Sequence, residues 1–276
     1  MSKVQILVAT MHRQDFSIID EMNIRCDAIV ANQADTNEFS AEHYPFGTAK
    51  MITTATRGVG LNRNIALMAS SKDILLIADD DMRYNDDMPQ KVSEAFDKNT
   101  KADVIIFGVD FVKGNKIVEK RHLQNRRLHL YNAMRFGACS IAVRRSAILR
   151  ENITFHQQFG GGCHFSSGED SLFIKACLDH KLKIYSNEYV LGTCCKDSSS
   201  WFTGFGKKFF YDKGVFICRM FPKVHYLTVP YFVIRFHNKS EISAIARFKM
   251  IMAGIRNGKD MQVYHEENEK NIDCKQ

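Results

Sequence analysis

One nine-residue stretch, Asp73–Asp81 with the sequence DILLIADDD, constrains the fold of this chain more than any other. Five apolar residues run directly into three consecutive aspartates, and such an apolar run is typical of a strand covered on both faces in a parallel α/β sheet. The aspartates then fall at the carboxyl end of the strand, where open α/β sheets bind their ligands. Adjacent carboxylates repel one another unless a cation lies between them, and hard oxygen ligands favour Mg²⁺ or Mn²⁺. The stretch therefore predicts a metal-assisted ligand site, with an acidic turn after a strand as the simpler alternative.

The rest of the chain fits the same fold class. Short apolar strands alternate with helical patterns, which is typical of βαβ units and of a mostly parallel central sheet with flanking helices. With 276 residues, 45% of them hydrophobic, the chain can bury a core of this size. The pattern predicts strands over 3–9, 27–31, 51–54, 74–78, 103–109, 136–143, 183–185 and 189–191, and helices over 16–23, 65–70, 89–98, 145–150, 171–180 and 243–255. The predicted architecture is therefore α/β.

Polar residues follow the first two predicted strands, at the edge where a parallel sheet binds ligands. Thr10 ends the first strand, and the polar run 32–35 ends the second. The segment 57–64, RGVGLNRN, leads into a helical run. Its glycines let the backbone approach a ligand closely, and Arg57 and Arg63 offer positive charge to a phosphate. An ordinary turn at the start of a helix gives the same pattern, so both interpretations stay open.

A second informative block, residues 155–173 with the sequence FHQQFGGGCHFSSGEDSLF, combines a glycine-rich loop with two acidic residues. Glu169 and Asp170 stand at the start of the predicted helix 171–180. A carboxylate beside a glycine-rich loop is well placed to act as a general base. Acidic residues in a first helical turn are also stabilised by the helix dipole without any catalytic role. Spacing alone leaves the two interpretations open.

The last part of the chain has a different character. Residues 201–256 interleave aromatic residues with lysine and arginine, and between residues 207 and 259 the acidic residues are Asp212 and Glu241. This composition fits a helical region on an anionic membrane surface, a plain helical subdomain or a homodimer interface. It does not favour nucleic acid as a partner, because no recognisable RNA- or DNA-binding motif accompanies it.

Segment lengths and cysteine usage predict the location. The N-terminal sequence MSKVQILVAT has too short an apolar run for a signal peptide, and no stretch reaches the roughly 18 apolar residues that span a bilayer. The eight cysteines contain no CxxC pair, which favours a reducing compartment. We therefore expect a cytoplasmic protein, with peripheral attachment to the inner face of the plasma membrane as an open alternative.

In their joint order, these motifs resemble family 2 glycosyltransferases of the GT-A fold, and most of all the bacterial enzymes that build surface polysaccharides such as capsule and lipopolysaccharide. The similarity covers about residues 3–215 and rests on the VAT and IVANQAD strand ends, RGVGLNRN, ADDD, FGACSIAVRR, FGGG and GEDSLF. It implies a GT-A domain over 1–215, with a nucleotide-binding part over about 1–110 and an acceptor part over about 111–215, followed by a helical extension over 216–276.

The resemblance also implies roles for individual residues. The donor is expected to be a nucleotide sugar, most simply a UDP-sugar, and the acceptor a saccharide or lipid-linked saccharide. The residues implied to bind the nucleotide sugar are Thr10, Asn32, Asp35, Arg57, Arg63, Asp79 and Asp80. Asp81, with Asp79, is expected to hold Mn²⁺ or Mg²⁺, although a third aspartate beyond the family's DXD motif leaves the choice of ligand open. Asp170 is expected to deprotonate the attacking acceptor hydroxyl, which inverts the anomeric configuration, and Glu169 to orient Asp170 or the acceptor.

Two other functions stay open. A sugar nucleotidyltransferase needs a glycine-rich, lysine-containing loop after its first strand, whereas this chain has MHRQDF there. A non-catalytic, membrane-associated protein that binds nucleotide sugars is the second alternative, and the intact Asp79–Asp81 and Glu169–Asp170 motifs argue against it. Trp201 is a candidate for stacking on an acceptor sugar, or simply a packing residue.

Overall fold

A computed structural model describes residues 2–195 and 204–261. Trp201, the candidate for acceptor stacking, lies outside these residues. The chain divides into two compact units: the first comprises Met1–Gln157 and Glu169–Ser199, and the second comprises Gln158–Gly168 and Ser200–Gln276. The predicted functional boundaries at about residues 110 and 215 stay predictions.

The first unit is built around one eleven-stranded sheet. Its strands are β1 (Val4–Met11), β2 (Asp27–Gln33), β3 (Glu38–Tyr44), β4 (Gly47–Thr54), β5 (Ile74–Asp79), β6 (Met82–Tyr84), β7 (Val104–Lys113), β8 (Lys116–Arg121), β9 (Arg126–Arg127), β10 (Ile141–Arg144) and β11 (Ile184–Cys195). Its helices are α1 (Ser17–Glu21), α2 (Val59–Ala69), α3 (Met88–Lys98), α4 (Leu130–Ala133), α5 (Arg145–Arg150) and α6 (Glu169–Asp179). The strand order is β3-β4-β2-β1-β5-β10-β7-β11-β6, with β8 beside β7 and β9 beside β11. The predicted α/β class is confirmed.

Parallel pairing joins β4, β2, β1 and β5, and it also joins β7 to β11. The sheet is mixed because β10 lies between β5 and β7 and runs antiparallel to both. β5 alternates its side chains between two apolar layers: Leu76 and Ala78 face one layer, and Leu75 and Ile77 face the other. This burial on both faces explains the unbroken apolar run, and it leaves the aspartates at the carboxyl edge of the sheet.

Several elements differ from the sequence-based expectation, among them three in or beside the sheet. The predicted strand 136–143 begins as a 3₁₀ turn, Ala138–Ser140, before β10. The two short strands predicted after residue 182 form one strand, β11, whose register with β7 shifts on either side of Val190. The sequence pattern misses β3, because its sequence EFSAEHY is exposed at the sheet edge and its apolar alternation is confined to Phe39 and Ala41.

The second unit is helical, as predicted, with α7 (Lys207–Met220), α8 (His225–Arg235) and α9 (Ala244–Asn257). Two glycines bring α7 and α9 into backbone contact. A Cβ added at Gly214 would lie 2.1 Å from the backbone oxygen of Ile251, and one added at Gly254 would lie 2.0 Å from that of Tyr211. Among the helices of residues 2–195 and 204–261, none combines the length and apolar character needed to cross a bilayer.

Replacing Gly214 by alanine is expected to destabilise the second unit by about 1–3 kcal/mol, because the added methyl group forces two packed helices apart. Urea unfolding followed by circular dichroism measures the effect. Gly206→Ala is the matched control, since nothing lies within 4 Å of a Cβ at that position. Equal unfolding midpoints for the two variants would contradict the close crossing of α7 and α9.

Candidate active site

The carboxyl ends of β1 and β5 bring two of the predicted polar residues together. The strands pair in parallel, with Ala9 opposite Asp79, so the residues that follow each strand lie at the same edge. The hydroxyl of Thr10 donates a hydrogen bond of 2.6 Å to Oδ2 of Asp80. Thr10 therefore fixes the orientation of the second aspartate of the motif.

The segment 57–64 is mostly helix rather than loop, because α2 begins at Val59. Its first glycine, Gly58, has a φ of 113° that favours glycine, and its backbone N–H donates to the side chain of Gln33 at 2.7 Å. The second, Gly60, is required by packing: a Cβ there would lie 2.4 Å from the backbone oxygen of His156. Gly58 thus shapes the turn before α2 and Gly60 seats α2 against neighbouring backbone, which is the structural interpretation of this motif.

Three side chains in the first half of α2 point to different parts of the site. Asn62 donates to the backbone oxygens of Thr10 at 3.2 Å and Ala31 at 2.7 Å, which ties α2 to the ends of β1 and β2. Asn64 exchanges two hydrogen bonds with the backbone of Phe155, at 2.9 and 2.7 Å. These two asparagines hold the helix so that Arg63, between them, faces the carboxylates.

Arg63 joins the two acidic motifs. Its guanidinium pairs with Asp79 at 2.5 Å, with Glu169 at 3.1 Å and with Asp170 at 2.8 Å. The arginine side chain is only 4% exposed, whereas Asp79 is 36% exposed, so the arginine side of these ion pairs is poorly solvated and the carboxylate side is partly open to solvent. The charge of Arg63 is met here by three carboxylates, and its predicted contact with a donor phosphate stays a prediction.

The carboxylates of α6 are held at the start of that helix. α6 begins at Glu169 rather than at the predicted residue 171, so both acidic residues lie in its first turn, where the helix dipole favours negative charge. Phe173, one turn later, stacks on Phe155 with ring centroids 4.2 Å apart. The guanidinium of Arg63 lies 5.2 Å from the centroid of the Phe155 ring. Aromatic packing thus fixes the arginine and the helix together.

Asp170 has the electrostatic setting of a base. Burial, followed by the negative charge of Glu169, raises the pKa of Asp170 well above the ordinary value of 3.8, and the charge of Arg63 opposes that rise. The Ala138 backbone N–H also donates to this carboxylate and favours its ionised form. A carboxylate with a raised pKa holds a proton more readily, which suits proton abstraction near neutral pH.

Asp81 lies beside sulfur as well as carboxylates. The thiol of Cys194 donates to its Oδ2 at 3.3 Å, and the Cys195 backbone N–H donates to its backbone oxygen at 2.9 Å. Burial of the carboxyl, followed by the charge of Asp79 and a weaker effect of Asp80, raises the pKa of Asp81 to about 6. Cys194 is therefore a site neighbour that the spacing of the cysteines does not reveal, because β11 brings it there from more than a hundred residues away.

These residues fit a divalent cation that is shared with a ligand. Within the described ranges, no group of three or more His, Cys, Asp or Glu side chains is arranged to hold a metal ion by itself. One oxygen of Asp79 is engaged by Arg63, and one oxygen of Asp80 by Thr10. Mg²⁺ and related ions are commonly held by one or two carboxylates plus substrate phosphates. A cation would relieve the repulsion by Asp79 and Asp80, which adds to burial in raising the pKa of Asp81.

The other residues predicted to bind the nucleotide sugar lie apart from the cluster of Asp79, Glu169 and Asp170 around Arg63. Asn32 is fully buried, and its amide bonds to the backbone of Arg13 and to the Thr53 hydroxyl, so it organises the turn after β1. Asp35 and Arg57 form an exposed ion pair of 2.6 Å beyond the end of β2. Neither set contacts the carboxylates, and both belong to the edge where β1 and β2 end.

Comparisons with known proteins identify the family and the fold of this chain. The family model described as "Glycosyl transferase family 2" matches residues 17–155. The fold is similar to that of TarS 1–349 from S. aureus in complex with UDP-GlcNAc, with a TM-score of 0.59 and 13% sequence identity over 96% of this chain and 77% of that chain. For the S. aureus TarS 1–349 complex with UDP the TM-score is 0.57, also at 13% identity, over 97% and 77%.

At that identity the structural similarity shows the fold alone, and a search of curated proteins finds no match. The family match does not depend on this structural similarity, and it spans half of the 276-residue chain. The matched residues include helix α1, the Asp79–Asp81 motif and β10. The chain belongs to glycosyl transferase family 2.

Proposed function

We propose that this glycosyltransferase is metal-dependent and inverting, and that it moves a sugar from a nucleotide sugar, most simply a UDP-sugar, to a saccharide or lipid-linked saccharide in bacterial surface-polysaccharide synthesis. The observation that carries the proposal is the Arg63 cluster, which joins Asp79 at the end of β5 to Glu169 and Asp170 at the start of α6. It unites a candidate donor site with a candidate base. The surface-polysaccharide role rests on the resemblance of the joint order of motifs, FGGG and GEDSLF among them, to bacterial enzymes of that type.

On the donor side, the strand ends offer the polar groups that a nucleotide needs. Thr10 and Asp80 form a hydrogen-bonded pair suited to a ribose or base, and the Asp35–Arg57 pair supplies further charge beyond β2. Asp81 and Asp79 would hold Mn²⁺ or Mg²⁺ together with the diphosphate of the donor. A bound divalent cation supplies Lewis-acid neutralisation of the leaving diphosphate.

In the transfer step, Asp170 takes the proton of the acceptor hydroxyl. The acceptor oxygen forms a bond to the anomeric carbon as the bond from that carbon to the diphosphate oxygen breaks, and the nucleoside diphosphate leaves with the electron pair. Attack from the face opposite the leaving group inverts the configuration. Arg63 holds Asp170 and Glu169 in place and stabilises the ionised base before transfer.

Calorimetric titration with UDP, with and without Mn²⁺, tests the donor site. We expect binding of the wild-type protein to depend on Mn²⁺ and to be lost in Asp81→Ala, because the variant lacks a proposed metal ligand. Asp97→Ala is the control, since Asp97 forms only an exposed ion pair with Lys3. Binding of UDP by Asp81→Ala at wild-type affinity would contradict the role of Asp81. UDP binding without transfer to any acceptor would favour the non-catalytic binding protein.

A further inference from the structure

Helix α8 in the second unit carries an apolar stripe on its outer side. Val229 is its one buried residue among the described helix positions. Residues two positions before and after it lie about 200° round an α-helix, on the opposite side. These are Leu227 and Tyr231, which are 80% and 54% exposed, and Ile234 follows on the same side at 72% exposed. The stripe is therefore directed away from the packed side of its own helix.

Positive charge flanks this stripe. Arg235 is exposed, donates to the Tyr231 hydroxyl at 2.6 Å and lies 5.6 Å from its ring centroid, while Lys223 and Lys239 are exposed just outside the two ends of the helix. The described part of the second unit contains eleven lysines and arginines against three acidic residues. One of the three, Asp212, is buried and paired with Lys208. The unit is thus strongly cationic around an exposed apolar stripe.

From these features we infer that the α8 stripe docks on an anionic lipid bilayer. Leucine and isoleucine side chains enter the boundary between headgroups and acyl chains, tyrosine prefers that interface, and the flanking cations pair with lipid phosphates. A second copy of the chain fits less well, because pairing two α8 stripes would bring the cations of both copies together. The inference rests on the proposed function, in which a lipid-linked acceptor brings the protein to a membrane. It does not depend on the transfer step.

Co-sedimentation of the full chain with vesicles tests the inference. We expect binding to phosphatidylcholine vesicles that contain phosphatidylglycerol and much weaker binding to pure phosphatidylcholine. The double variant Leu227→Ser/Ile234→Ser should lose affinity for the anionic vesicles by about tenfold or more, because it lacks the inserted apolar surface. Met68→Ser is the matched control: Met68 lies on α2 and is 80% exposed, like Leu227, but belongs to the other unit. Arg235→Gln/Lys239→Gln should lower binding to the anionic vesicles only.

Unchanged binding by the double variant, equal binding to both vesicle types, or no binding by the wild type would overturn the inference. Size-exclusion chromatography with light scattering provides the alternative outcome: a wild-type dimer that the double variant dissociates would assign the stripe to a second copy. UDP titration of the same samples separates the two proposals. Vesicle binding without UDP binding would support membrane docking by the α8 stripe and contradict the proposed donor site. UDP binding by the double variant verifies that the variant is folded.

Discussion

Asp170→Asn is expected to lower the rate of glycosyl transfer by about 10²–10⁴-fold, the usual contribution of a positioned general base. UDP affinity should stay at the wild-type value, since asparagine keeps the size of the side chain and Asp170 is not among the proposed donor ligands. The measurement is a transfer assay beside UDP calorimetry on the same preparation. Asp179→Asn at the far end of α6 is the control, because Asp179 is exposed and pairs only within its own helix. Transfer at the wild-type rate by Asp170→Asn would remove the base assignment.

The pH dependence of transfer gives a second readout of the same residue. Because burial and Glu169 raise the pKa of Asp170, its base form is lost at a higher pH than for an ordinary aspartate. The rate should therefore fall as pH is lowered through that raised pKa, well above the pH near 4 at which an exposed aspartate titrates. The residual activity of Asp170→Asn should not show this acid limb.

Arg63→Gln is expected to destabilise the first unit strongly. It leaves three carboxylates facing one another without their cation, and removal of one partner from a buried ion pair costs about 3–5 kcal/mol. Since Asp79 is 36% and Asp170 24% exposed, we expect a value near the lower limit, about 3 kcal/mol. Chemical unfolding measures it. Arg63→Lys keeps the charge but not the forked geometry, so it should recover most of the stability while kcat stays low.

Two comparisons distinguish a role of Arg63 in positioning Asp170 from a purely structural role. The charge of Arg63 lowers the pKa of Asp170, so its removal should move the acid limb of the transfer rate to higher pH. Arg144→Lys is the control, because the Arg144 guanidinium, like that of Arg63, lies over a phenylalanine ring, 5.0 Å from the centroid of Phe96. Its hydrogen bonds go to two backbone oxygens rather than to carboxylates. We expect Arg144→Lys to lower stability without changing kcat or the acid limb. Equal kinetic effects of Arg63→Lys and Arg144→Lys would reduce Arg63 to a packing residue.

The sequence predicts the elements whose signal is local. The run Ile74–Ala78 is apolar because β5 is buried on both faces, and the same double burial puts the three aspartates at the sheet edge. The acidic start of α6 is visible for a similar reason, since helix dipole and capping act within one turn. The two acidic motifs therefore follow from patterns that span fewer than ten residues, and the fold class follows from the alternation of such short patterns along the chain.

The parts that the sequence does not predict depend on distant partners. Arg63 meets carboxylates 106 and 107 positions away, so its pattern cannot distinguish a phosphate contact from an ion-pair cluster. Gly60 has the appearance of a phosphate-loop glycine, yet it is required by the approach of the His156 backbone. Cys194 reaches Asp81 only through the pairing of β11 with β6. Each of these needs the fold before its meaning can be stated.

The stack of Phe155 on Phe173 has a consequence for how this chain can diversify. Residues 158–168 belong to the second unit, but the chain on either side of them belongs to the first unit. Phe155 lies just before the segment and α6 begins just after it, and the two are joined by the stacked rings of Phe155 and Phe173. Asn64 and Arg63 fasten both to α2. Because both flanks belong to the first unit, we expect sequence changes at the partly exposed positions of residues 158–168 to leave Asp170 and Arg63 in place.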